Sequence, residues 1–148
     1  MSPSTITTSG LLGPIIALNG WSLFMEAWMY SELIPAFNKM ERLDNTATKS
    51  QLDLKLPASA RWKRDNYNHL FEQPTQFYAV ALTLAIARAG EDEGMDVALA
   101  WGYVAARVVH SLVQSTRNHI MTRFGLFAIS SGLLAVMTGR AAWLVFGV

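Results

Sequence analysis

Four apolar stretches, each close to the length of a membrane crossing, leave this chain few ways to fold. They run from about Leu11 to Ile34, Asn66 to Ala87, Met95 to Ser115 and Thr122 to Phe146. About 20 helical residues cross a hydrocarbon core about 30 Å thick. A helix of a soluble bundle keeps a wide polar face, but the fourth stretch carries no charge from Phe124 to Gly139. The pattern predicts an all-α integral membrane four-helix bundle, a single domain over residues 1–148, with the lipid bilayer as its surroundings. Composition agrees: of 148 residues, 51% are apolar and 16% charged, where a soluble domain carries about 25% charged.

The same composition narrows the chemistry. A net charge of +1 with no basic block gives no footprint for nucleic acid. There is no cysteine, so disulfides, thiolate metal sites and a protein thiol nucleophile are all excluded. Three histidines without ligand spacing predict no metal site. Met1–Gly10 holds no Lys or Arg, and Glu26 interrupts the first apolar stretch, so the pattern of a cleaved leader is not met.

The connections differ in charge. Residues 35–65 read as one long polar loop holding Lys39, Arg42, Lys49, Lys55, Arg61, Lys63 and Arg64. The second connection, Gly90-Glu91-Asp92-Glu93-Gly94, is short and acidic, and the third is a basic turn around Arg117, Asn118, His119 and Arg123. Basic loops mark the cytoplasmic side, which predicts loops one and three inside and both termini outside. The expected membrane is the endoplasmic reticulum in a eukaryote or the inner membrane in a bacterium. Trp21, Trp62, Trp101 and Trp143 are expected near helix ends as interfacial anchors. Arg140 is expected to act as a snorkelling anchor at the far interface, and His119 as a solvated turn residue.

Charged groups at the centre of a membrane helix cost about 2.5–3.5 kcal/mol or more, so they mark function by default. Here they fall in register. Asp65, His69, Glu72 and Gln76 follow a helical spacing on the second stretch; Tyr103, Arg107, His110, Gln114 and Arg117 do so on the third. The first adds Asn19, Ser22, Glu26 and Tyr30. Counting 1.5 Å per residue, Glu72 and His110 lie about 10 Å below the basic side, and Arg107 about 15 Å. A carboxylate, an imidazole and two guanidinium groups then share one cavity, with Arg123 at its mouth. A structural Glu72–Arg107 pair locking two helices is the plainer alternative. The surplus of donors from Arg107, His110, Gln114, Arg117 and Arg123 favours an anionic, polar ligand.

The run Asn66-Tyr67-Asn68-His69-Leu70-Phe71-Glu72-Gln73-Pro74, followed by Phe77-Tyr78, resembles the second-helix motif of the MAPEG family, the membrane-associated proteins of eicosanoid and glutathione metabolism. Arg107-Val108-Val109-His110-Ser111, Asn118 and Arg123-Phe124 resemble the second half of that signature. The resemblance implies a homotrimer of four-helix subunits that binds glutathione as cosubstrate between neighbouring subunits near the cytoplasmic face. It implies glutathione contacts at Glu72 and His110, a supporting arginine at Arg107, and catalytic Arg123 beside the thiol sulfur. His69 and Gln114 occupy positions where glutathione-using members generally carry Asn and Tyr, and they join the expected binding set. Phe127 stands where some members carry Tyr.

A glutathione-dependent transferase or peroxidase, acting on a lipophilic small-molecule electrophile, is therefore the leading expectation. Two alternatives remain open. One is a glutathione-independent membrane isomerase or cyclase that uses Glu72, His69 and His110 as acid and base. The other is a non-catalytic membrane subunit of a larger complex.

Overall fold

Proline 74 decides the architecture of the middle of the chain. It has no N–H, and in an uninterrupted helix its ring would collide with the Leu70 carbonyl one turn earlier. The computed structural model, which describes residues 8–40, 46, 48–88 and 93–147, accordingly breaks the expected second helix at Leu70–Glu72. Among the described residues there are six helices: α1 (Leu12–Asn38), α2 (Lys49–Lys55), α3 (Ala58–His69), α4 (Gln73–Ala87), α5 (Gly94–Thr116) and α6 (Ile120–Phe146). No strand occurs among them. The all-helical class stands, while four uninterrupted helices become four long ones and two short ones.

The third and fourth expected helices match α5 and α6 to within two residues. The long loop does not. Helix α1 runs through Pro35 to Asn38, and much of residues 35–65 is helical. Thr48 and Gln51 form a reciprocal capping box that starts α2: Thr48 N–H donates to Gln51 Oε1 at 2.9 Å, and Gln51 N–H donates to Thr48 Oγ1 at 3.4 Å. Helix α3 then lies along the C-terminal half of α1. Met29 and Leu33 pack with Leu56 and Ala60 there. Lys63, expected in a solvated loop, is instead buried, with Nζ 2.8 Å from Glu32 and 4.8 Å above the Trp28 ring. This docking holds α1 helical past its proline. Arg42, Asn45, Met1–Thr7 and the acidic turn residues Gly90, Glu91 and Asp92 lie outside the described residues.

Leu11, Leu18, Phe77, Ala81, Leu84, Ala100, Tyr103, Val104, Leu134, Met137 and Ala141 form the main core among α1, α4, α5 and α6. Alanines at three of these positions let helix backbones come close. Helix α5 packs most extensively on α6. The outside is apolar as well: Ile16, Ile120, Phe124 and Phe146 are each at least 66% exposed. One helix among the described residues, α6, is long and apolar enough to cross a membrane. Helix α4 has 15 residues, about 22 Å at 1.5 Å each, because the proline break removes its first turns. Helices α1 and α5 carry the polar residues of their stripes. Trp21, expected near an end, lies mid-helix in α1, packed on Phe24 at 5.2 Å.

Arg140 corrects its expected role. Rather than snorkelling alone, its Nε donates to Oδ1 of Asp96, and its Nη2 to Oδ2 at 3.3 Å. Arg88 Nε donates to Asp96 Oδ2 at 2.5 Å. The Asp96 side chain is fully buried, and the triad ties α5 to α6 and to the residue that closes α4. Removing one member of a buried ionic set leaves uncompensated charge and costs about 3 kcal/mol or more. Asp96→Asn is therefore expected to lower the thermal unfolding midpoint in detergent well below that of a surface control such as Lys49→Gln.

Candidate functional site

The helix break that Pro74 imposes also builds the site. An intact helix would commit the His69 carbonyl to its own backbone ladder. At the break it accepts 2.8 Å from Arg107 Nη2, with the Glu72 N–H at 3.4 Å. Arg107 thus reaches from α5 to the end of α3 and is 1% exposed. Its Nε and Nη1 are buried without a partner.

A pocket of about 250 Å³ is lined by His69, His110, Arg123, Ile120, Phe124 and Phe127, and Arg107 is not part of its wall. His69 and His110 face each other with ring centroids 6.2 Å apart. Glu72, at the outer edge, places Oε2 3.2 Å from His69 Nδ1, and its side chain is 65% exposed. Arg123 is held on the first turn of α6, where Nη1 donates to Asn118 Oδ1 at 2.5 Å. Asn118 takes a left-handed conformation, φ 50°, that closes the turn after α5. His119 caps α6, its Nδ1 accepting from the Thr122 N–H at 3.4 Å. It is an exposed turn residue and does not line the pocket.

Of the residues singled out in the sequence, His69, His110 and Arg123 meet at the pocket wall, Glu72 sits at its rim, and Arg107 and Gln114 are buried on α5 beside it. The break changes the face of the second stripe. Gln76 and Asp65 are exposed, as is Arg117 on the third stripe. The plainer Glu72–Arg107 lock is not formed by any ion pair among the described residues; Glu72 engages His69. On α1, Ser22 is buried and donates to the Leu18 carbonyl at 3.1 Å, while Asn19 and Tyr30 are exposed.

Sequence spacing missed Gln73. Its Nε2 donates to Ser131 Oγ at 2.7 Å, and its Oε1 accepts from Ser130 Oγ at 3.3 Å and Tyr103 Oη at 3.4 Å. Tyr103 in turn stacks on Phe77 at 4.5 Å with ring planes 8° apart. Gln73 therefore joins the start of α4 to α5 and α6. The signal was Pro74 itself, since a proline marks a helix start and shifts the register after it.

The buried polar atoms of this region are unusually under-partnered. Besides Arg107 Nε and Nη1, they include Arg123 Nε, His110 Nδ1, Gln114 Oε1, Ser111 Oγ, Ser115 Oγ and both amide atoms of Asn66. Orphaned buried groups each cost about 1–3 kcal/mol, so a cluster of them is a place where a ligand, a partner or ordered water would supply the missing bonds. Two arginines and one outlying carboxylate leave an excess of positive charge there. The donor set fits glutathione, which carries two carboxylates.

Helices with an apolar exterior and a buried cationic site define a membrane-associated helical protein. A family model matches residues 11–143, and the chain belongs to the MAPEG family, whose members are membrane-associated and generally linked to glutathione. Neither a curated protein nor a solved structure matches the chain.

Gln73→Leu removes three hydrogen bonds and strands the Tyr103 hydroxyl, while Ser130 and Ser131 keep their bonds to the Phe127 carbonyl. At about 1 kcal/mol per bond, partly offset by apolar burial, it is expected to destabilise by about 2 kcal/mol. Thermal unfolding in detergent reads this, with Gln76→Leu as the near-neutral comparison.

Proposed function

We propose that the chain is a membrane-embedded glutathione-dependent transferase or peroxidase acting on a lipophilic electrophile. The observation that carries this is the cluster of unpartnered guanidinium and imidazole nitrogens on Arg107, Arg123 and His110 beside one pocket. The other walls are Ile120, Phe124 and Phe127, on the one helix among the described residues long and apolar enough to cross a membrane, so the pocket joins a cationic side to one that suits a bilayer-dissolved substrate. Family membership supports the same reading.

Each residue has a physical task. Arg107, held by the His69 carbonyl, supplies an enclosed positive charge next to the pocket-lining His69. His110 and Gln114 add further polar contacts from α5, and Glu72 and His69 close the outer edge. Arg123 is the catalytic residue, a half-buried cation at the pocket wall whose Nη1 is held by Asn118. Bound glutathione supplies a thiol with a free pKa near 8.5, and its thiolate is the nucleophile. Arg123 favours that charged form, and the protein provides no thiol of its own.

The proposal includes four spans, cytoplasmic loops one and three, and a homotrimer whose neighbouring subunit closes the rim. The 65% exposure of the Glu72 side chain supports such a closure. The His69–Glu72 contact at 3.2 Å, with His110 opposite, favours a second reading: acid–base isomerisation without glutathione.

Retention on immobilised glutathione, followed by conjugation of an electrophilic aromatic substrate, separates the two. Binding with turnover is the expected result; absence of both overturns the proposal and leaves the isomerase or cyclase and the non-catalytic subunit. A guanidinium about 4 Å from an anion is worth about 4 kcal/mol at an effective dielectric near 20. Even about 1.4 kcal/mol of that is tenfold in rate. Arg123→Leu is thus expected to lose at least about tenfold in turnover while keeping helix content. Arg123→Lys falls between the two, keeping the charge without the planar fork. Wild-type turnover in Arg123→Leu would refute this role.

A further inference from the structure

At the opposite end of α6 the structure holds a second arginine pocket, built differently. Counting 1.5 Å per residue, Arg140 lies about 30 Å along the helix from Ile120, one hydrocarbon thickness away. Beside it is a cavity of about 450 Å³ lined by Arg88, Arg140, Gly139, Val136, Trp143 and Leu144. Asp96, fully buried, anchors both arginines from below. Arg140 spends Nε and Nη2 on that carboxylate, Nη1 has no partner among the described residues, and a third of its side chain (33%) is exposed.

We propose that this cavity is a binding site for an anionic phospholipid of the leaflet opposite the glutathione site. Arg140, pre-oriented by Asp96, presents its remaining donor edge to a phosphate oxygen, a geometry that a guanidinium favours. Gly139 lines the cavity with no side chain, and a Cβ there would meet no atom within 4 Å, so a headgroup has room beside the guanidinium. Val136 and Leu144 supply apolar wall along the acyl chains, and Trp143, 67% exposed, sits where an amphipathic ring meets the headgroup layer. Those apolar walls favour an amphiphile over a free phosphate ion. The inference stands apart from the glutathione reading, because none of its residues lines the other pocket.

Native mass spectrometry of the full-length protein, released from detergent and titrated with phosphatidylglycerol or phosphatidylcholine of equal chains, tests it. Phosphatidylglycerol is expected to be retained about tenfold better. Gly139→Leu fills the cavity without touching the Asp96 triad and should remove most of that preference at unchanged helix content. Arg140→Gln should remove it too; if that variant fails to fold, Gly139→Leu decides alone. Equal retention of the two lipids, or wild-type preference in Gly139→Leu, overturns the proposal. Displacement of the lipid by millimolar inorganic phosphate would also overturn it, showing an anion site with no lipid selectivity.

Discussion

The bond from Arg107 to the His69 carbonyl organises the rest of the molecule. A guanidinium in an apolar bundle needs acceptors, and a carbonyl left over from a broken helix is an acceptor that burial does not penalise further. The bond exists because Pro74 denies α3 and α4 a continuous ladder. It fixes Arg107 to the end of α3, next to the pocket-lining His69, and the same register shift turns Gln73 inward to Tyr103, Ser130 and Ser131. Backbone break, arginine anchor and the Gln73 hydrogen bonds share one origin.

The two ends of the bundle use arginine in opposite ways. At one end Asp96 satisfies two guanidinium groups, and three segments of the chain are clamped together. At the other, Arg107 and Arg123 keep nitrogens without partners among the described residues, and the Glu72 carboxylate lies against His69. A paired charge holds helices together; an under-paired one leaves work for a ligand. The difference is one of partnering: Asp96 holds both arginines at the first end, and no carboxylate among the described residues does the same for Arg107 or Arg123 at the second.

Lys63 makes the same point for the peripheral helices. Its burial against Glu32 and the Trp28 face turns a stretch that reads as loop into a helix docked on α1. Polarity averaged along residues 35–65 hides this, since a long side chain can bury its stem and still find a carboxylate and an aromatic face.

The sequence by itself determined the helical class, the bounds of α5 and α6, and the spacing that sets Arg107, His110 and Gln114 on one face of an unbroken helix. Those follow from local periodicity, which needs no knowledge of neighbours. It also held the proline that marks the break, although a spacing rule carried across Pro74 chose Gln76 in place of Gln73. Only the tertiary structure decided which polar groups find partners. Asp96 is local to the start of α5, yet its second arginine arrives 44 residues later. Likewise His69 offers its carbonyl to a residue 38 positions away. Whether a buried charge is a clamp or a site depends on what packs against it, and that is a property of the assembled helices rather than of any one of them.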